Sequence, residues 1–253
     1  MPDISSDKSL RLDQLLVELG LSATRSRARD AIQRGTVTVD GKPVTKAGQT
    51  VLRTAKIAVD DPASAYVSRG ALKLIAALDH FGLDVKGVTA LDIGASTGGF
   101  TQVLLERGAS HVLAIDVGHD QLHETLRADP RVTNKEGVNA RALDFSHLDG
   151  REIDCVVSDV SFISLKLALP PALAFAQKGA ICALLVKPQF EAGREAIGKG
   201  GILRDPADGK RIAEELRSWL ETQPGWRALG LCPSPIEGGD GNREYLLAGK
   251  KDQ

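Results

Sequence analysis

Aromatic residues, cysteines and long apolar runs are all scarce in this chain of 253 residues. No apolar run approaches the ~20 residues that a membrane-spanning helix needs, and the first ten residues lack the basic and apolar regions of a signal peptide. The three cysteines, Cys155, Cys182 and Cys232, stand in no CxxC or Cys/His pattern. They therefore predict buried, reduced thiols and no metal site. A soluble cytoplasmic protein without membrane contact is expected.

Charge is distributed unevenly, although the formal net charge is only −1. Between residues 8 and 56, ten lysines and arginines face four acids, so the rest of the chain is acidic overall. A basic head on an acidic body indicates that the head binds a polyanion on which the body acts. Charge alone is equally compatible with a solvated surface that binds nothing.

The basic segment has the pattern of a small α+β domain. Leucines repeat with helical spacing between residues 11 and 20, and Ser22 is predicted to cap a second helix that ends at Gly35. TVTVDGKPV then alternates as a strand does into the turn Asp40-Gly41. This arrangement resembles the S4 RNA-binding domain, which implies recognition of folded RNA by shape and backbone contacts. The residues expected to contact RNA are Arg11, Arg25, Arg27, Arg29, Arg34 and Lys42.

Residues 88–118 have the order strand, glycine loop, helix, strand. An apolar strand ends in Asp92, GASTGG follows, and Asp116 ends the next strand, where a carboxylate accepts hydrogen bonds from the ribose of an adenosine cofactor. Ser96 occupies the position at which the dinucleotide fingerprint needs its second glycine. The loop therefore favours S-adenosylmethionine, with a nicotinamide-dependent oxidoreductase as the weaker alternative.

Charged residues also follow two later apolar strands. IDCVVSDVSF leads to Asp159, and ICALLVKPQFE leads to Lys187. Ligands bind at the carboxyl ends of strands in open α/β sheets, so both side chains are expected beside the glycine loop. Lys73 in YVSRGALKL and Glu244 before the strand EYLLAGK complete a set of two amines and two carboxylates. An isolated Lys or Glu is more often a solvated surface residue, but a lysine that ends an apolar strand requires a partner.

The segments YVSRGALKL, DIGASTGGF, SDVSF, LLVKPQFE and GNREYLL, in this order, resemble the motifs of FtsJ-type ribose 2'-O-methyltransferases. Together with the basic head, the chain is similar to the TlyA group of rRNA (cytidine-2'-O)-methyltransferases, historically labelled haemolysins. The resemblance implies a class I, Rossmann-like α/β domain with a mostly parallel seven-stranded sheet, preceded by a small α+β S4-like domain. The expected ranges are 8–59 for the head, 60–66 for a linker and 67–250 for the methyltransferase domain.

The resemblance also implies the reaction and its residues. The reaction is S-adenosylmethionine-dependent 2'-O-methylation of cytidine in 16S or 23S rRNA or both, with ribosomal RNA or ribosomal subunits as partners. Lys73, Asp159, Lys187 and Glu244 fall on the catalytic tetrad, and no metal is needed. The residues on the cofactor motifs or expected near the adenine are Asp92, Gly94, Ser96, Thr97, Gly98, Gly99, Phe100, Asp116, Asn139 and Asp144.

Chemistry gives each tetrad residue an expected role. A ribose hydroxyl is a poor nucleophile at neutral pH, and in-line transfer needs its oxygen held about 3 Å from the methyl carbon. Lys187 is predicted to accept the proton, because burial and the nearby charge of Lys73 favour a neutral amine, for a rate contribution of ~10²–10⁴. Asp159 would orient this amine and the methyl donor, and Glu244 would balance Lys73.

Two further functions stay open beside this enzyme. A non-catalytic rRNA-binding assembly factor would use the same head, although intact glycines and a complete tetrad argue against it. A haemolysin needs an exposed apolar helix or an export signal, and the sequence shows neither.

Overall fold

The computed structural model describes residues 9–253, and the chain divides into two compact units between Ala65 and Tyr66. Residues 1–8 lie outside the described residues. They include the first residue of the predicted head and most of the segment in which no signal peptide was expected. Among the helices of the described part, none is both long and apolar enough to cross a membrane.

The first unit is a small α+β fold. Its elements are β1 (Ser9–Arg11), α1 (Leu12–Glu18), α2 (Arg25–Gln33), β2 (Val37–Val39), β3 (Lys42–Pro43), β4 (Thr50–Leu52) and β5 (Ile57–Val59). β1 pairs with β4, and β2 lies between β3 and β5, all antiparallel. The leucines of α1 pack against Ala28 and Ile32 of α2 and against Val37 of β2, which gives the unit its own core.

The predicted helix ends agree with the structure except at two positions. Gly35 follows α2 with a positive φ of 75°, and Asp40 and Gly41 form the predicted turn between β2 and β3. Leu19, however, is half-exposed because the chain leaves α1 at that residue. The cap of α2 is Thr24 rather than Ser22, since the extended backbone of Thr24 places its hydroxyl where it accepts a hydrogen bond from a first-turn N–H.

The second unit is a sheet with helices on both faces. Its elements are α3 (Ala71–Phe81), β6 (Thr89–Ile93), α4 (Gly99–Glu106), β7 (His111–Ile115), α5 (Glu124–Arg127), β8 (Val132–Lys135), β9 (Ile153–Ser158), α6 (Leu165–Ala168), α7 (Pro170–Phe175), β10 (Ala176–Val186), α8 (Pro188–Glu191), α9 (Asp208–Glu221), β11 (Trp226–Pro233) and β12 (Tyr245–Lys251). Alternate residues of β9 face opposite cores: Val156 packs with the α6, α7 and α9 side, and Cys155 and Val157 with the α3 and α4 side. The seven strands confirm the expected fold class.

Strand order determines where a ligand site forms. The sheet runs β11-β12-β10-β9-β6-β7-β8, so the chain proceeds outward from β6 to β8 and then returns to place β9 on the other side of β6. In doubly wound sheets the crevice at such a reversal, outside the carboxyl ends of the strands, is the usual ligand site. Here it lies between the ends of β6 and β9.

One reversed strand brings a distant residue to the same edge. β12 runs antiparallel to β10, with Tyr245 opposite Val186. The first residue of β12 therefore lies at the end of β10, next to Lys187. Glu244, immediately before β12, reaches the edge at which β9 and β10 deliver Asp159 and Lys187.

Candidate active site

The glycine loop after β6 is shaped by close contacts that exclude side chains. At Gly94, φ is 82°, and a Cβ would lie 3.0 Å from Cγ1 and 3.1 Å from Cα of Val160. At Gly99, the first residue of α4, a Cβ would lie 2.2 Å from the hydroxyl oxygen of Ser68. These glycines let the loop after β6 pack directly on the loop after β9 and on the segment before α3.

Asp116, at the end of β7, fixes the conformation of this loop. Its Oδ2 accepts a hydrogen bond from the backbone N–H of Ser96 at 2.8 Å, and its Oδ1 accepts one from Gly118 at 2.7 Å. Ser96 has a left-handed backbone, with φ of 48°. Each carboxylate oxygen keeps a second lone pair with which it can accept a hydrogen bond from a ligand hydroxyl.

A cavity of about 500 Å³ opens over the ends of β6, β7 and β9. Asp116, Gln121 and Asn139 contribute polar groups, while Ile115 and Val138 contribute apolar surface. Mostly apolar walls with a few placed polar groups are typical of small-molecule sites, and this volume lies in their usual range. The cavity fits a nucleoside-sized cofactor.

A second cavity, of about 240 Å³, adjoins the first and is lined by three of the four charged residues, all but Glu244. It is lined by Lys73, Lys187 and the segment before α3. The residues that line both cavities are Gly94, Ser96, Asp159 and Ser161. A group held in the larger cavity and a group held in the smaller one would therefore meet beside Asp159.

The four residues predicted as the tetrad form two ion pairs. Lys187 Nζ lies 2.7 Å from Asp159 Oδ1 and also donates a hydrogen bond to Ser161 Oγ at 2.6 Å. Lys73 Nζ lies 2.5 Å from Glu244 Oε2, and both of these side chains are nearly inaccessible, at 6% and 2% exposure. Glu244 does not line the smaller cavity. It contacts the ammonium group of Lys73, which does.

Only some of the predicted cofactor residues line the two cavities. Those that line one or both cavities are Gly94, Ser96, Thr97, Gly99, Phe100, Asp116 and Asn139. Gly98, which lines neither, is the N-cap of α4 and has φ of 97°. Asp144 caps a short 3-10 helix by accepting hydrogen bonds from Ser146, and it also lies outside both cavities.

Asp92 is likewise kept from the cavities, because it is completely buried beneath the loop. Thr101 Oγ1 donates to its Oδ2 at 2.7 Å, and Oδ1 has no hydrogen-bond partner. Burial raises the pKa of Asp92 to about 7, with the Thr101 hydrogen bond opposing that shift. The alternation of side chains along β6 predicts on which face of the sheet Asp92 lies. It does not predict that α4 covers the Asp92 side chain.

Several lining residues were missed from the sequence. Ser161 and Phe162 stand two and three positions after Asp159 in the segment SDVSF, so a motif had already marked them. Phe162 is 90% exposed and has φ of 65°, a left-handed conformation that is costly for a bulky side chain. Ser68 stands in the segment YVSRGALKL and was marked in the same way, whereas Gln121 had no sequence signal, since tertiary packing alone brings it to the larger cavity.

In the first unit, two of the predicted RNA contacts hold a buried acid. Asp13 is fully buried, and Arg11 and Arg25 reach it at 3.0 and 3.2 Å while their own side chains stay about half exposed. The hydrogen bond from Arg11 is the main cause of the lowered pKa of Asp13, with Arg25 also contributing. Both arginines therefore stabilise the unit and still present charge to solvent.

The other four basic residues differ in exposure. Arg34 is largely buried, and its guanidinium pairs with Asp61 at 2.6 Å. Arg27 donates to the backbone carbonyl of residue 63 at 3.0 Å. Arg29 and Lys42 are exposed on α2 and β3. The accessible positive charge of this unit thus includes Arg29 and Lys42, whereas Arg34 is committed to packing.

The sheet, the glycine loop at the strand reversal and the adjoining acid define an S-adenosylmethionine-dependent methyltransferase. The model of the FtsJ-like methyltransferase family matches residues 66–251, and that of the S4 domain matches residues 10–57. The chain is 45% identical, over 238 residues, to the 16S/23S rRNA (cytidine-2'-O)-methyltransferase TlyA of Mycobacterium tuberculosis, covering 94% of this chain and 88% of that protein. The chain therefore belongs to the TlyA family of FtsJ-like methyltransferases, as its motifs indicated.

Two further relatives carry the older haemolysin label. Hemolysin A of Brachyspira hyodysenteriae is 40% identical over 237 residues, covering 94% of this chain and 98% of that protein. The solved structure of a candidate hemolysin from Streptococcus thermophilus is 38% identical, covers 98% of this chain and 90% of its own, and has a TM-score of 0.74. The similarity in each case extends over both units.

Proposed function

We propose that this protein methylates the ribose 2'-hydroxyl of a cytidine in ribosomal RNA of the small subunit, the large subunit or both. The observation that carries the proposal is the junction of the two cavities at Asp159, with the Lys187 amine beside it. A methyl donor and an acceptor hydroxyl held on either side of this junction are within reach of one amine. The name of the M. tuberculosis relative supports the same reaction. A cytoplasmic location follows from a ribosomal RNA substrate.

The residues present fit the methyl donor. S-adenosylmethionine, when bound, supplies an electrophilic methyl group on a positively charged sulfur. Asp116 would accept hydrogen bonds from its ribose, and Asn139 and Val138 would surround its base in the larger cavity. Gly94 is essential to this cavity because a side chain there would collide with Val160.

Lys187 would act as the proton acceptor in the smaller cavity. In the structure its Nζ is held by Asp159 and Ser161, which fix the direction of the amine. An acceptor hydroxyl in the smaller cavity would lie within reach of this amine, which is the group placed to take the hydroxyl proton. Glu244 neutralises Lys73 and so limits the positive charge of the site.

A direct assay tests the function. Purified full-length protein is incubated with tritiated S-adenosylmethionine and ribosomal subunits from a strain that lacks the gene, and 2'-O-methylated nucleotides are mapped in both rRNAs. We expect label at a cytidine ribose and none on bases. Absence of transfer to rRNA, together with lysis of erythrocytes by the same preparation, would instead support the haemolysin interpretation and refute the enzyme.

Phe162 is proposed to stack on the target base. Its ring lies at the mouth of the larger cavity, 5.0 Å from the ring of Phe190, and is otherwise exposed. Stacking of a base on an aromatic side chain contributes ~1–3 kcal/mol, so Phe162→Ala should raise KM for RNA roughly 5- to 150-fold. Phe162→Tyr should retain stacking. The control is Phe145→Ala, which removes another exposed phenylalanine; an equal effect there, or none at Phe162, would contradict the role.

Arg29 and Lys42 are proposed to contact RNA phosphates. Each phosphate contact adds ~0.7–0.9 to the slope of log affinity against log salt concentration. Arg29→Gln with Lys42→Gln should therefore weaken rRNA binding at low salt and reduce the slope by roughly 1.5. Titration at several salt concentrations measures both. Lys178→Gln, which removes an exposed lysine of the second unit, should change neither, and an unchanged slope in the double variant would refute the contact.

A further inference from the structure

Glu191 is a charged residue that the proposed chemistry does not use. It is the last residue of α8, in the segment KPQFE that begins with Lys187. Its Oε2 accepts a hydrogen bond from Ser164 Oγ at 2.5 Å, and its Oε1 accepts one from the backbone N–H of Leu165 at 2.7 Å. Burial raises the pKa of Glu191, and these two hydrogen bonds oppose that shift.

These bonds join the two segments that carry the amine and its carboxylate partner. Residues 159–165, here named the β9 loop, contain Asp159 and Ser161, which line both cavities. Residues 187–191, here named the β10 segment, begin with Lys187. The two segments also meet through Lys187 with Asp159 and through Phe190 with Phe162. Glu191 lies at the far end of this contact and lines neither cavity.

The contacts differ in what happens when substrate binds. Lys187, Asp159 and Phe162 line the cavities, so a donor or an RNA bound there would contact them directly. Glu191, Ser164 and Leu165 line neither cavity, so a bound substrate would leave their hydrogen bonds in place. Hydrogen bonds to an ionised carboxylate are stronger than those between neutral groups, which suits Glu191 to hold the β9 loop during the reaction.

We propose that Glu191 is a positioning residue for methyl transfer. It keeps Asp159 and Ser161 in register with Lys187 when the Lys187–Asp159 pair opens to substrate. The inference rests on the proposed function, because it assigns Glu191 to the same site. It predicts an effect on the chemical step, since misplacement of reacting groups by about 1 Å costs on the order of 10²-fold in rate.

Glu191→Gln tests the role with little change in volume. The amide oxygen can still accept from the Leu165 N–H, but the NH₂ group can only donate, so the Ser164 hydroxyl would have to become the acceptor, and the carboxylate charge that strengthens both bonds is lost. We expect kcat for rRNA methylation to fall at least about tenfold, while the dissociation constant for S-adenosylmethionine stays within about twofold, because Asp116 and the glycine loop are untouched. The matched control is Glu195→Gln, an exposed glutamate four residues on, which should leave both values unchanged.

Ser164 supplies a second, independent variant. Ser164→Ala removes the same hydrogen bond from the β9 loop and should lower kcat, whereas Ser164→Thr keeps the hydroxyl and should restore it. The double variant of Glu191→Gln with Ser164→Ala should lose less than the product of the two single effects. The inference would be overturned if folded Glu191→Gln kept the wild-type kcat, or if it lost kcat and cofactor affinity equally. It would also be overturned if the kcat loss of the double variant equalled the product of the two single losses. A wild-type protein without rRNA methylation would instead refute the proposed function.

Discussion

Lys187→Ala is expected to lower methyl transfer to rRNA by ~10²–10⁴-fold, the usual contribution of a positioned general base. The side chain lies in the smaller cavity, at the junction with the larger one, and its Nζ is directed by Asp159 and Ser161. No other amine in that cavity has the same position, since Lys73 is engaged by Glu244. Single-turnover assays at saturating cofactor and RNA measure the loss.

Binding measurements separate this role from a structural one. Calorimetric titration should give the variant a dissociation constant for S-adenosylmethionine close to that of the wild type, because Lys187 does not line the larger cavity. Lys178→Ala, which removes an exposed lysine from the other end of β10, is the matched control and should stay fully active. Near-normal transfer by Lys187→Ala, with cofactor and RNA binding intact, would show that another group accepts the proton.

Glu244→Ala should destabilise the protein by ~3–5 kcal/mol, because removal of one partner from a buried ion pair leaves an uncompensated charge. Lys73 is 6% exposed and lies 2.5 Å from the carboxylate, so loss of the carboxylate leaves a largely buried ammonium group without its charge partner. Urea denaturation measures the change in the free energy of unfolding. Activity should fall as well, since an unbalanced Lys73 would disturb the cavity that holds Lys187.

A double variant distinguishes charge from packing. Lys73→Met with Glu244→Ala removes both charges, and replacing a buried pair by apolar groups is often neutral or stabilising. We expect this variant to recover most of the lost stability while remaining inactive. Arg227→Ala, which breaks a half-exposed pair with Asp252, should cost only ~0–1 kcal/mol. A Glu244→Ala protein as stable as the wild type would mean that the pair is accessible to water in solution.

Much of the fold was predictable because its signals are local. Apolar strands, the glycines of GASTGG and the turn at Asp40-Gly41 depend on periodicity and backbone freedom within a few residues. The end of a parallel strand is a defined place in a doubly wound sheet, so Asp159 and Lys187 could be assigned to one edge before any contact was known. Neither the burial of Asp92 nor the cap at Thr24 was predictable in this way.

The sequence by itself determined the class of fold, the cofactor loop and the four charged residues expected at one site, because the signal for each lies within a short segment of the chain. Only the tertiary structure decided how the four are paired. Lys73 and Glu244 are 171 residues apart, and they meet because β12 runs opposite to β10. Tertiary packing likewise placed Asp13 beneath two arginines and joined Glu191 to Ser164. Such pairings follow from strand order and direction, which no local pattern specifies.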